Sequence, residues 1–132
     1  MDIKYSETKD LTPAELESLF LSVDWESGRY PDLLCTAMRN SHRVCTAWHE
    51  GRLVGLLNSL SDGVMNAYFQ YMLVHPDYQQ QGVGRGLMRR MLDGYAHLHR
   101  KALIAYDSAV GFYESMGFEA GGGKHPMFLS EL

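Results

Sequence analysis

Cysteine is scarce in this chain: Cys35 and Cys45 are the only two, and neither sits in a metal-ligand or redox motif. A disulfide framework and a zinc centre therefore have no support, and both residues read as buried thiols of a reducing, cytoplasmic compartment. No apolar run reaches the roughly 20 residues that a membrane span needs. Met1-Asp2-Ile3-Lys4 has no signal-peptide hydrophobic region. Positive charge is also short, with 12 Lys and Arg against 16 Asp and Glu, so a nucleic-acid surface is disfavoured. His97 and His99 stand two apart and cannot share a metal from one helical face, so no metal is expected. Repeats and linkers are missing too, and 132 residues suit one domain (1–132) with a modest core.

What the chain does have is a concentrated glycine motif. Tyr71 to Leu87 opens as an apolar strand, stops at His75-Pro76-Asp77, and passes through Gln79, Gln80 and Gln81 into Gly82-Val83-Gly84-Arg85-Gly86. Pro76 has no N–H to give a ladder. From Leu87 the apolar spacing becomes helical, through Met88, Met91, Leu92, Tyr95 and Leu98. A strand turning through glycines into a helix presents free backbone N–H groups at the positive helix end, where an anion is favoured. Arg85, Arg89 and Arg90 oppose the helix dipole there unless an anion balances it. A plain turn is the alternative that spacing alone leaves open. A P-loop is excluded because no Lys-Ser/Thr follows, and a dinucleotide fingerprint because residue 87 is Leu.

The remaining pattern alternates strand and helix. A first strand at 3–5 (β1) precedes a helix (α1) with Thr12 as N-cap, Pro13 at its first position, Glu15 at its third and Leu16, Leu19, Phe20 and Val23 inward. A second helix at 32–40 (α2) turns Leu33, Leu34 and Met38 inward. Strands follow at 44–48 (β2), 52–60 (β3) and 65–74 (β4), with His49-Glu50-Gly51 as a hairpin turn. The glycine-led helix (α3), a strand at 102–105 (β5), a helix and the start of the following strand within 109–118 (α4 and β6) and a last strand at 125–129 (β7) complete the chain. The order β1-α1-α2-β2-β3-β4-α3-β5-α4-β6-β7 implies a mixed α/β sheet with helices on both faces.

Two motifs carry a family resemblance. Gln79-x-x-Gly82-x-Gly84 after Met72-Leu73-Val74 resembles the pyrophosphate motif of the GCN5-related N-acetyltransferases (GNAT). Ala109-Val110-Gly111-Phe112-Tyr113-Glu114-Ser115-Met116-Gly117-Phe118 resembles their C-terminal helix and following strand. Together the motifs cover about the last half of the chain. The resemblance implies the GNAT fold, with β4 and β5 parallel but splayed and acetyl-CoA lying in the V between them.

By the same resemblance, main-chain N–H groups of Gln79, Gln80, Gln81, Gly82, Val83, Gly84, Arg85 and Gly86 hold the diphosphate. The pantetheine arm pairs with Met72, Leu73 and Val74, where Met72 stands in the usual leucine place. Tyr113 matches the tyrosine that protonates the departing thiolate, with a core aromatic as the alternative. Phe112 reads as core or cofactor packing, and Asp107 as a helix cap that also reaches the pantetheine. Relatives carry a Glu or His base at places matching Tyr68 and Gln70, neither of which is a base at neutral pH. Three routes for the amine proton stay open: a water chain, a carboxylate of the Asp24/Glu26 loop, or His125.

The implied activity is direct acetyl transfer from acetyl-CoA to a primary amine. Neither cysteine has an adjacent activating His, which argues against a covalent intermediate. A small-molecule acceptor is favoured because the chain has no docking extension. The alternatives are a protein lysine or amino-terminal amine, and an acyl-CoA-binding sensor without turnover. Relatives are often dimers, so a homodimer is also open.

Overall fold

In the computed structural model, residues 1–131 are described. They form a five-stranded sheet in the order β1-β2-β3-β4-β5, with strands Lys4–Ser6, Arg43–His49, Arg52–Ser61, Asn66–Val74 and Arg100–Leu103. The first three pairings are antiparallel, and β4 and β5 run parallel. Helices α1 (Pro13–Ser22) and α2 (Pro31–Asn40) precede β2; α3 (Val83–Gly94) joins β4 to β5, and α4 (Val110–Ser115) follows β5. No helix among the described residues is long and apolar enough to cross a membrane.

Local chemistry explains most of these boundaries. Thr12 Oγ1 accepts from the Glu15 amide (3.1 Å) while Glu15 Oε1 accepts from the Thr12 amide (2.9 Å), which is the reciprocal cap its spacing predicts. Glu50 and Gly51 both adopt positive φ (49° and 78°) and turn β2 into β3. At the next turn Asp62 Oδ1 accepts from the amides of Val64, Met65 and Asn66, and these bonds hold its carboxyl below the usual range.

The sheet separates two apolar layers. On one side Ala67, Phe69, Met72, Val74 and the α3 residues Val83, Leu87, Met88 and Met91 pack together. On the other, Leu73 joins Leu16, Leu19 and Phe20 of α1 and Leu34, Cys35 and Met38 of α2. Along β4 the inward residues on the α3 side are odd-numbered up to Phe69 and even-numbered from Met72. Side chains alternate strictly along a regular strand, so this change of parity marks an inserted residue. The β3 register agrees: Leu57 opposes Met72 and Ser59 opposes Phe69, leaving Asn58 against both Gln70 and Tyr71.

Asn58 holds that bulge together. Fully buried, it accepts the Tyr71 amide on Oδ1 (2.8 Å) and donates from Nδ2 to Gln70 Oε1 and Ser41 Oγ, both at 3.0 Å. The β4–β5 ladder ends at Phe69↔Leu103, immediately before the bulge, while β4 runs on to Val74. The two strands thus start together and part at their carboxyl ends, which is the expected splay.

Three expectations need correction. The strands β6 and β7 do not form among the described residues: from Gly117 the chain has no ladder, and Met127, Phe128 and Leu129 lie in solvent. The strand expected at 102–105 is shifted to Arg100–Leu103, because the Arg100 amide anchors on the Met65 carbonyl (3.2 Å) and the splay ends pairing after Leu103. Leu33 points outward, 68% exposed; the helix starts at Pro31, and its buried stripe is Leu34, Cys35 and Met38. Asn58→Ala removes two hydrogen bonds to β4 and one to Ser41 at the end of α2, and should lower stability by about 2 kcal/mol, read from urea unfolding.

Candidate active site

Gly82 caps α3 with a left-handed φ of 84°, a conformation that costs other residues roughly 1 kcal/mol. Its carbonyl takes the Gly86 amide at 2.9 Å. Among the described residues no protein group accepts from the amides of Gln80, Gln81, Gly82, Val83, Gly84 or Arg85. Six consecutive N–H groups are therefore presented at the positive end of α3.

The side chains around this loop do other work. Gln79 donates to the Val74 carbonyl (2.9 Å) and Gln81 to the Asp77 carbonyl (3.3 Å), which fastens the loop to the end of β4. Arg85 turns away to Ser115 Oγ (2.9 Å) and Met116 Sδ (3.1 Å) and ties α3 to α4. Arg90 lies 3.7 Å over the Tyr5 ring. Two of the three arginines expected to meet the anion are thus engaged in packing, and the positive field comes from main chain. The Gly86 amide is spent on Gly82, so this residue falls outside the free set; its missing side chain makes room for Tyr5.

The open edge of β4 adds two more donors. The Tyr71 amide binds Asn58 and the His75 amide binds the Val54 carbonyl (2.8 Å), both towards β3. Alternation then turns the N–H groups of Met72 and Val74 into the V. Leu73 is committed to β3 through its main chain and to the α1 layer through its side chain. Gly84 is where these parts meet: a Cβ there would lie 3.0 Å from Met72 Cε, 3.6 Å from Phe112 Cζ and 3.8 Å from Val74 Cγ2. The glycine is needed because three elements converge on one backbone point.

Tyr113 follows Phe112 on α4, half-buried, its ring edge-on to Phe112 (5.2 Å) and to Phe118 (5.9 Å). Burial raises its phenol above the usual value, and its hydroxyl makes no hydrogen bond among the described residues. Asp107 differs from the expectation of a helix cap. The chain enters α4 through a 3-10 turn whose amides use the Tyr106 and Asp107 carbonyls, so its exposed carboxylate caps nothing.

The opposite wall is aromatic. Trp25, in the loop after α1, lies 6.2 Å from Tyr71 on β4 and 6.4 Å from Tyr106 beyond β5, so it bridges the mouth of the V. Asp24 and Glu26 flank it and are exposed. Gln70 is held by Asn58, and burial raises the Tyr68 phenol, so the central strand supplies no base. His125 stands in the exposed terminal segment. No cluster of three metal-ligating side chains occurs among the described residues. The bulge and Asn58 escaped sequence reading; a lone Asn inside the apolar run 53–60 was the available signal.

Both cysteines lie away from this cleft. Cys35 is buried in the α1–α2 layer, and burial pushes the Cys45 thiol from 9.0 up to about 11. Neither is an activated nucleophile.

A family model for the acetyltransferase (GNAT) domain matches residues 40–120. The uncharacterized N-acetyltransferase ycf52 of Porphyra purpurea is 29% identical over 89% of this chain and 70% of its own length. GCN5-related N-acetyltransferase 2 of Arabidopsis thaliana is 28% identical over 90% of this chain, which spans only 54% of that protein. A solved GNAT-family acetyltransferase from Streptococcus pneumoniae superposes with a TM-score of 0.82, covers 99% of this chain and 100% of its own, and is 25% identical.

Millimolar inorganic pyrophosphate should shift the amide resonances of Gln80 to Arg85 and leave Gly86 nearly still; an even response along 78–90 would count against the cradle. Since the folded Cys45 pKa is the higher one, its stabilising effect is complete below about pH 9 and disappears as pH climbs towards 11. In urea titrations Cys45→Val should flatten that alkaline decline.

Proposed function

The chain belongs to the GNAT family of acetyltransferases, and from that premise we propose that it moves the acetyl group of acetyl-CoA directly onto a primary amine of a small molecule, with Tyr113 as the acid. The observation that carries this reading is the convergence at Gly84. There the free amides of 80–85, the free edge of β4 and the Phe112–Tyr113 step of α4 come together. Six unclaimed N–H groups and a backbone without a Cβ suit a diphosphate, which is one of the charged parts of acetyl-CoA. The co-substrate supplies the activated thioester carbon.

This chain's residues do the rest. The amides of Met72 and Val74 pair with the pantetheine arm, and one of them faces the thioester oxygen, where negative charge grows as the amine attacks. The new C–N bond forms as the C–S bond breaks. Tyr113 passes its proton to the thiolate and is reprotonated from solvent. A phenol kept protonated by burial has its proton in place when negative charge gathers on the sulfur beside it, and solvent then restores the proton it gives up. The proton released by the amine leaves through water, because neither Tyr68 nor Gln70 takes it.

The acceptor enters opposite, past Trp25, Tyr71 and Tyr106. Aromatic faces with two exposed carboxylates beside them favour a small cationic amine. A sensor that binds acetyl-CoA without turnover is the second reading, favoured by the missing base in β4.

Thiol release from acetyl-CoA over a panel of amines separates the two, since a sensor releases none. Tyr113→Phe should lower kcat on the order of 100-fold with KM for acetyl-CoA little changed. With the phenol raised by burial, the alkaline limb of the wild-type kcat profile should lie above pH 10. An unchanged kcat in the variant would remove Tyr113 from the chemistry.

A further inference from the structure

The sheet face that carries Tyr71 continues past the acceptor mouth. Ala67 and Phe69 turn to the α3 layer, so Tyr68 between them turns the other way, onto the face where Tyr71 packs on Phe20 of α1. Burial raises the Tyr68 phenol, and the Tyr71 phenol adds to the rise, so the two side chains are neighbours across the bulge. The strand registers carry the row sideways: Leu60 of β3 opposes Tyr68, and Tyr68 opposes Ala102 of β5. In the next row, further from Met72, Asn66 opposes Arg100. These side chains line a groove of about 490 Å³ together with Ser61 and Asp62 of the β3–β4 turn.

The groove is built of two chemistries. Leu60 and Ala102 offer apolar surface; Arg100, Asn66 and Tyr68 offer a guanidinium, a carboxamide and a phenol. Among the described residues no group pairs with any of those three polar heads. The carboxylate in the groove is already engaged, since Asp62 Oδ1 accepts from the amides of Val64, Met65 and Asn66. Past Leu60 and Ser61 a second hollow brings in Lys9, Arg39 and His42. A chain of net charge −4 thus gathers cations on this one face, which favours an anion there.

On the basis of the acetyl-transfer reading, we propose that the acceptor is an amino carboxylate or amino phosphate whose anionic end is held in this groove by Arg100, Tyr68 and Asn66 while its amine meets the thioester past Tyr71. Arg100 presents a planar fork to two of the anion's oxygens, and the phenol and carboxamide donate to the oxygens as well. The strand sets the span. From Tyr68 to Met72 the backbone advances roughly 10 Å, at ~3.3 Å per residue with one residue taken up by the bulge. The amine and the anion of the acceptor are therefore separated by about that length, over an apolar middle that lies on Leu60 and Ala102. A neutral tail forgoes the guanidinium, and a short amino acid does not bridge the distance.

Transfer and binding are measured separately on the full chain. Among ω-aminooctanoate, its methyl ester, ω-aminohexyl phosphate and γ-aminobutyrate, a long anionic amine should exceed the ester and γ-aminobutyrate in kcat/KM by about tenfold, with the gain in KM. The better of the long carboxylate and the phosphate identifies the anion. Arg100→Gln should bring the acid-to-ester ratio to about one, and Arg100→Glu should reverse the preference towards diaminooctane. In heteronuclear NMR spectra of the wild-type chain with CoA present, ω-aminooctanoate should move the Arg100 Nε–H and Asn66 side-chain amide signals, and its ester should not. Those shifts without thiol release from any acceptor would remove the transfer reading and support the anion site. Equal turnover of acid and ester, or Arg100 and Asn66 signals that stay in place, would overturn it.

Discussion

One extra residue in β4 governs the architecture. With Gln70 and Tyr71 both set against Asn58, the strand changes the direction in which its amides point. Before the bulge the odd-numbered main chain serves β5; after it, the even-numbered main chain faces a gap. A regular strand of this length would continue the ladder with β5 and leave no cleft. The cost of burying an asparagine in an apolar layer is offset because its amide is satisfied at both ends.

The rest of the cleft follows from what that gap leaves unpaired. Two amides of β4 and six at the start of α3 share one property: among the described residues none accepts from them. Unsatisfied donors are tolerable where solvent or a ligand reaches them, and here they form a continuous path from the loop to the strand. The side chains nearby mostly hold the path in shape. Gln79 and Gln81 pin the loop, Arg85 pins α4, and Phe112 closes on Gly84.

Much of this was legible in the sequence because the signals were local. Proline, glycine and the Thr12/Glu15 pair mark boundaries through their own backbone chemistry, and the glycine loop was readable for the same reason. What depended on distant partners was not. Asn58 gains its meaning from Gln70, Tyr71 and Ser41, and only pairing reveals the bulge. Asp107 looked like a cap because of its place in a motif, yet the 3-10 turn had already filled the positions it would cap. The expected β7 shows the reverse case: its composition suits a strand, but a strand exists only where it is paired, and residues 125–129 join no ladder among the described residues.

The division between main chain and side chain has an evolutionary corollary. A grip made of peptide groups depends on the shape of the backbone, so sequence drift that keeps the glycines, the Gln79 and Gln81 anchors and the buried Val83 should leave one half of the cleft intact. The facing wall is built from Trp25, Tyr71 and Tyr106, three single-residue targets on separate segments. A lineage sharing this scaffold can therefore acquire new chemistry on one side through point changes while inheriting the other side unaltered.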